Sequence, residues 1–294
     1  GVGVAARDQV LGHGQVLEDV PALHALARAW GTGLPVEPGR DTGAMLAAAA
    51  RGELSALVVA GVDPDDLPDP ATARAGLERA FVVSLEIRES PVHEYADVIL
   101  PVAPQQEKPG TFLDWEGRER RFDQALGTEL HSDHVVLDRL AAAMGSPLDT
   151  GSYVRVRQQL AEIGRWDGRQ PAPQAEPAEP ARPGPGEAVL ATWHHLLDEG
   201  SLQDGEPFLA GTAPRTVARL SAVTAQSAGV AEGDPVTVST AAGSITLPAQ
   251  LTKDMPDHVV WLPTNSPGSA VRATLGVDAG AVVQLRAGAT GGEE

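Results

Sequence analysis

Apolar and polar positions change period several times along this chain, and each change predicts a different element. Over residues 16–30, Leu17, Val20, Leu23, Leu26, Ala27 and Trp30 recur at helical spacing, and Gly31 and Gly33 predict the end of that helix. A second helix of Met45, Leu46 and alanines is expected after an N-cap at Asp41 or Thr42, with Gly52 as its stop. The run ALVVAGV at 56–62 has no polar alternation, which predicts a strand covered on both faces. A turn-rich crossover follows at 63–70, then a helix at 71–80 and a strand, FVVSLEI, at 81–87. RESPVHEY has room for one helical turn before a third strand, DVILPVA, at 97–103. Strand, helix, strand, short helix, strand predicts an α/β unit with a parallel, Rossmann-like sheet. Further on, Ser132 is expected to cap a helix through Val135, Leu137, Leu140 and Met144 to Gly145, and another helix is expected at 153–163.

Residues 164–188 break this pattern, with Pro171, Pro173, Pro177, Pro180, Pro183 and Pro185 and almost no apolar bulk. Such a stretch predicts an extended, semi-rigid linker that buries too little to fold alone. Beyond it, Leu190, Trp193, Leu196 and Leu197 predict a helix over 189–199 that stops at Gly200. From Pro214 the period shortens to two: RTVARLS, DPVTVST, GSITLPAQLT, HVVWLP and AVVQLRA read as short strands separated by Gly, Pro and Asp turns. A short helix, TAQSAGV, sits between the first two, and the spacing predicts a small closed barrel. The expected organisation is an α/β domain over 1–163, a Pro-rich linker over 164–188, and a helix plus β-barrel domain over 189–294, with the last residues frayed.

Composition narrows the partners. The chain has 294 residues, a formal net charge of −18 and no cysteine. The charge disfavours nucleic acid and anionic membrane surfaces. The absence of cysteine excludes disulfides, thiolate zinc sites and cysteine-ligated iron–sulfur clusters within this chain. No apolar run approaches the roughly 18–20 residues of a membrane span, and the first residues lack a signal-peptide layout. Because the chain starts at Gly1, it is expected to be a piece of a longer protein.

Residues 96–122, ADVILPVAPQQEKPGTFLDWEGRERRF, are the first place to look for chemistry. Val98, Ile99 and Leu100 form a strand, Pro101 and Pro104 stop it, and a polar loop with Glu107, Lys108 and a Pro-Gly turn follows. Open α/β sheets bind ligands in the crevice beyond the carboxyl ends of their strands. Gly61 and Asp63 after one strand, Glu86 after the next, and residues 97–111 at the third could together hold a nucleotide. Ordinary loop residues explain the same positions equally well. GVGVAA fails the spacing of a phosphate-binding glycine loop, and no P-loop, H-E-x-x-H or G-x-S-x-G pattern occurs. Asp63, Asp65 and Asp66 resemble a metal cluster, but Pro64 and Pro68 break a calcium-loop spacing, so turn and cap carboxylates are expected. His131 and His134 have no third ligand placed by sequence, and His194 and His195, adjacent on a helix, would face different sides.

The same stretch resembles the ADVVLP…EK-GT…E-R pattern of the molybdopterin oxidoreductase superfamily. Together with LPVEPGRDTGAML and LVVAGVDPDDLPD it is most similar to the family of G subunits of NADH-quinone oxidoreductase, respiratory complex I. The tail from Arg215 resembles the superfamily's molybdopterin-dinucleotide-binding domain, a double-psi barrel. The resemblance implies a peripheral-arm subunit on the cytoplasmic face of the membrane, without direct membrane insertion, bound to other peripheral-arm subunits. Its iron–sulfur clusters would lie in a missing N-terminal part, and this chain would be the C-terminal piece. In catalytic members, the segments matching Gly61, Asp63, Glu86, Ser90, Asp97, Lys108, Gly110 and Thr111 hold a pterin dinucleotide. Here Asp63 stands where cofactor-binding members usually have asparagine, and Ser90 and Val92 where two threonines are common. The resemblance therefore implies a scaffold with a vacant ancestral site, no catalytic or metal residues, and no cofactor on this chain. Lys108 and Glu107 would pair with each other or with Asp63, while Phe112 and Trp115 pack the loop. The alternatives are a fragment of a true molybdopterin enzyme, such as a formate dehydrogenase-like oxidoreductase, and a free-standing nucleotide-binding module.

Overall fold

The computed structural model of the protein describes residues 39–114, 116, 118–163 and 181–289, with 27, 28, 30, 31 and 179. Most of the expected helix at 16–30, most of the linker and Trp115 lie outside the described residues. The described residues fall into two compact units. One holds those up to 62 and from 75 to 163, and the other those from 63 to 74 and from 179 onward.

In the first unit, α1 (Thr42–Arg51) starts where Asp41 accepts a hydrogen bond from the Ala44 N–H at 2.7 Å. It ends at Gly52, whose φ of 78° only glycine adopts without strain. Three parallel strands follow, β1 (Ala56–Ala60), β2 (Phe81–Glu86) and β3 (Val98–Pro101), in the order β1-β2-β3. Helix α2 (Pro70–Arg79) connects the first two. Ala49, Leu77, Ala80, Val82 and Val92 form the core, with Leu57 and Val59 packed on it. Helices α1 and α2 approach closely at Gly76, where a Cβ would sit 2.7 Å from the Leu46 carbonyl oxygen. β1 corrects one expectation. Among the described residues it is covered on one face only, because Leu57 and Val59 meet the core while Val58 points out, exposed. An unbroken apolar run cannot report which neighbours cover its second face.

Part of the expected polar loop is regular. β4 (Gly110–Leu113) and β5 (Glu119–Phe122) form an antiparallel hairpin, and the Phe112 and Phe122 rings stack with centroids 4.8 Å apart. Helix α3 (Asp133–Ala143) follows Ser132, which holds the N-cap position without a side-chain hydrogen bond, and α4 (Tyr153–Ile163) matches its predicted range.

The second unit is a closed barrel. Its strands include β6 (Glu187–Trp193), β7 (Ala218–Leu220), β8 (Pro235–Ser239), β9 (Ser244–Leu251) and β10 (Val259–Pro263). β11 (Asn265–Ser266) and β12 (Ser269–Ala270) pair separately, and β13 (Val282–Ala287) completes the barrel in the order β10-β6-β13-β8-β9-β7. Period-two burial fills it: Val236 and Val238, Ile245, Leu247 and Ala249, and Val283 and Leu285 all point inward. The helix expected at 189–199 is instead strand β6. Ala188 and Leu190 face the core, and β6 pairs parallel with β10 and antiparallel with β13. Local helical spacing loses to barrel closure, which removes two open edges at once.

Short helices α5 (Pro207–Ala210), α6 (Ala222–Ala228) and α7 (Val271–Leu275) decorate the barrel. A buried polar network starts α6. The Ser221 hydroxyl accepts from the Thr224 N–H at 3.1 Å and donates to the Asp257 carboxylate at 2.6 Å. The His258 N–H donates to the Thr224 hydroxyl at 2.8 Å, which fixes His258 at a φ of 59°. No helix among the described residues is long and apolar enough to cross a membrane. Replacing Thr224 with Val keeps its shape but strands the His258 N–H. Chemical denaturation should show a loss of about 1–3 kcal/mol, while Thr224→Ser, which keeps the hydroxyl, should lose less.

Candidate cofactor site at the strand ends

β1 ends at Ala60, and Gly61 turns the chain at a φ of 59°. Its N–H donates to the Glu86 carboxylate at 3.1 Å. Glu86 closes β2 and is 8% exposed, so this bond gives a buried carboxylate a protein donor. Asp63 caps a 3-10 turn (Pro64–Asp66) by accepting from the Asp65 N–H at 2.9 Å, and it belongs to the crossover segment of the second unit. Ser90 precedes another 3-10 turn (Pro91–Glu94), and no partner among the described residues meets its buried hydroxyl. The same is true of Ser84 Oγ and His93 Nε2.

Asp97 is not brought to this end of the sheet. Its carboxylate accepts from the Val82 N–H at 2.7 Å, and its own N–H donates to the Val82 carbonyl at 2.9 Å. Val82 lies at the start of β2 and Glu86 at its end, four residues or about 13 Å apart along the strand. Asp97 therefore closes the amino edge of the sheet.

Segment 108–111 is engaged with helices α3 and α4. Lys108, with a side chain only 18% exposed, forms an ion pair with Asp133, the first residue of α3. The expected pairing with Glu107 or Asp63 gives way to this one, because the helix start places a carboxylate over the ammonium. The Thr111 hydroxyl meets the Tyr153 hydroxyl at 2.5 Å and accepts from Arg157 at 3.1 Å. Tyr153 also donates to the Gly110 carbonyl at 3.2 Å, and Arg157 bonds Glu119 at 3.0 Å. The Thr111 hydrogen bond is the main cause that holds the Tyr153 phenol below its ordinary pKa. Gly110 faces the Phe122 ring so closely that any side chain there would collide with it. Phe112 stacks on that ring as expected of a packing residue, yet stays exposed.

The sequence did not point to Asp133, Tyr153, Arg157 or Phe122. The usable signal was that Tyr153 and Arg157 lie four apart and so share one helix face. Of the histidines, His131 Nε2 lies 2.6 Å from Arg139, His194 Nδ1 lies 2.9 Å from Asp198, and His195 Nδ1 lies 3.3 Å from Ser266. No group of three potential metal ligands occurs among the described residues.

In the segments that the resemblance assigns to a dinucleotide, the Gly61 N–H, the Lys108 ammonium and the Thr111 hydroxyl each already have a protein partner. The residues present do not fit the group.

A parallel sheet followed by a closed six-stranded barrel fits the fold of the molybdopterin oxidoreductases. The chain belongs to that family: residues 13–134 match the Molybdopterin oxidoreductase family, and 189–290 match the Molydopterin dinucleotide binding domain. More particularly, it is 50% identical over 282 residues to the G subunit of the NADH-quinone oxidoreductase of Mycobacterium bovis, covering 94% of this chain and 35% of that protein. It is 48% identical over 297 residues to the corresponding G subunit of Streptomyces coelicolor, covering 97% and 35% respectively. The chain thus spans about a third, 35%, of the length of the curated relatives it matches. Among solved structures, the acetylene hydratase of Pelobacter acetylenicus shares the fold, with a TM-score of 0.54 at 16% identity over 90% of this chain and 49% of that one.

His134, beside the Lys108–Asp133 pair, supplies a pH test. Burial chiefly lowers its pKa below the ordinary value near 6.5, the Lys108 charge adds to this, and Asp133 and Asp138 oppose it. As pH falls below about 6.5 the unfolded chain takes up the proton first, so stability falls from there to the folded pKa and is flat above. The urea midpoint should decline as pH falls below about 6.5, and His134→Gln should flatten that decline. An equal decline in the variant would assign it to other groups.

Proposed function

We propose that this chain is the C-terminal scaffold region of the G subunit in a proton-pumping NADH:quinone oxidoreductase. In this reading it carries no catalytic group and holds no cofactor of its own. The electron-carrying iron–sulfur clusters sit in the part of the protein upstream of it, and the chain binds neighbouring peripheral-arm subunits on the cytoplasmic face of the membrane. Half-identity with the G subunits of two such oxidoreductases supports the membership in that complex. The observation that carries the empty-site reading is the pairing of Lys108 with Asp133. The cation that would meet a phosphate is held instead by the first residue of α3. The Gly61–Glu86 hydrogen bond and the Tyr153–Thr111–Arg157 cluster support the same reading, since both use up groups in segments that hold a pterin dinucleotide in catalytic members.

The buried hydroxyl of Ser90, which has no partner among the described residues, favours a second reading, in which a true molybdopterin enzyme has kept part of its site. Elemental and pterin analysis of the purified complex separates the two. The scaffold reading expects iron without molybdenum or tungsten and no extractable pterin. Stoichiometric molybdenum or tungsten with pterin would establish the enzyme reading.

A further inference from the structure

Between β6 and β7 the chain turns a run of large apolar side chains into water. Trp193 is 74% exposed, Leu196 98%, Leu202 97% and Phe208 87%. Single exposed apolar residues are ordinary. Four of this size within sixteen residues, each standing almost clear of the protein, are not, and exposed apolar groups gathered in this way mark interaction sites.

The segment that carries them is fastened at several points. Asp198 accepts from His194 Nδ1 at 2.9 Å and from the Gly200 N–H at 2.8 Å. The Glu199 N–H donates to the Asn265 carbonyl at 3.0 Å. His195 lies 3.3 Å from the Ser266 hydroxyl and 5.4 Å from the Trp261 ring centroid. Pro207 opens α5, and Glu206 caps it at the Leu209 N–H at 3.3 Å. The apolar side chains are therefore presented from an anchored frame, which lowers the ordering cost of binding.

Charge selects the occupant. Glu199, Asp204 and Glu206 stand exposed among the apolar residues, and no Lys or Arg occurs from 183 to 214. A second copy would set carboxylates against carboxylates, on a chain whose net charge is −18. An anionic lipid surface would be repelled in the same way. We infer that segment 193–209 is a docking surface for another protein subunit, one that offers apolar pockets rimmed by Lys and Arg. This rests on the reading of the chain as part of a multi-subunit complex, and it names the surface through which the chain joins it.

Photo-crosslinking within the assembled complex tests it. A benzophenone amino acid is placed at Leu202 or Phe208 of the full-length protein. Both positions should crosslink to one neighbouring subunit, in a peptide containing Lys or Arg. Leu196→Asp should lower the yield at least about tenfold, as for the loss of an interface anchor. Crosslinks to a second copy, to lipid, to the same chain or to nothing would overturn the inference, as would a yield undiminished by Leu196→Asp. Failure of the full-length protein to travel with any other subunit would remove the underlying reading as well. A complex that is intact but gives no such crosslink would remove only the docking surface.

Discussion

A buried polar group must have a partner, and at the strand ends this protein supplies most of those partners from within itself. Glu86 is buried at the end of β2 and receives the Gly61 N–H at 3.1 Å. Lys108 is largely buried and meets Asp133. Thr111 sits between Tyr153 and Arg157. Each contact ties a segment that follows a strand to something else in the first unit: β1 to β2, and the loop after β3 to helices α3 and α4. Breaking one partner away would leave a desolvated group behind, which costs more than the net contribution of the bond itself. The interactions that hold these loops in place are thus the same ones that engage their polar atoms.

The barrel depends on a different constraint, closure. β6 lies between β10 and β13, and without it two edges would expose rows of unpaired N–H and C=O groups. The inward residues of all six strands then share one core of Val, Leu, Ile and Ala. From Trp193, the last residue of β6, the chain leaves the sheet and presents Trp193, Leu196, Leu202 and Phe208 outward. The element that closes the barrel also leads into the most exposed apolar stretch of the second unit.

Strong period-two and period-3.6 signals in the sequence predicted β8, β9, β13, α3 and α4 close to their observed bounds. The closed barrel and the family resemblance of residues 96–122 are likewise supported by the strand order and the comparisons. β6 escaped because Leu190 and Trp193 fit a helical stripe as well as a strand, and only distant partners decide between them. The one-sided cover of β1 escaped because an unbroken apolar run is silent about what lies on each face. At the site, residue types marked the right loops but not their partners. Lys108 and Asp133 are 25 residues apart, and Thr111 and Arg157 are 46 apart. Asp97 shows a further gap: the resemblance placed it in one site with Glu86, whereas the length of β2 separates them.

The scaffold reading requires the Gly61 N–H, the Lys108 ammonium and the Thr111 hydroxyl to stay engaged with their protein partners. Calorimetric titration of the full-length protein with guanosine diphosphate, one half of a pterin guanine dinucleotide, tests this most directly. No saturable heat is expected up to millimolar nucleotide. One-to-one binding that is abolished by Lys108→Met would contradict it.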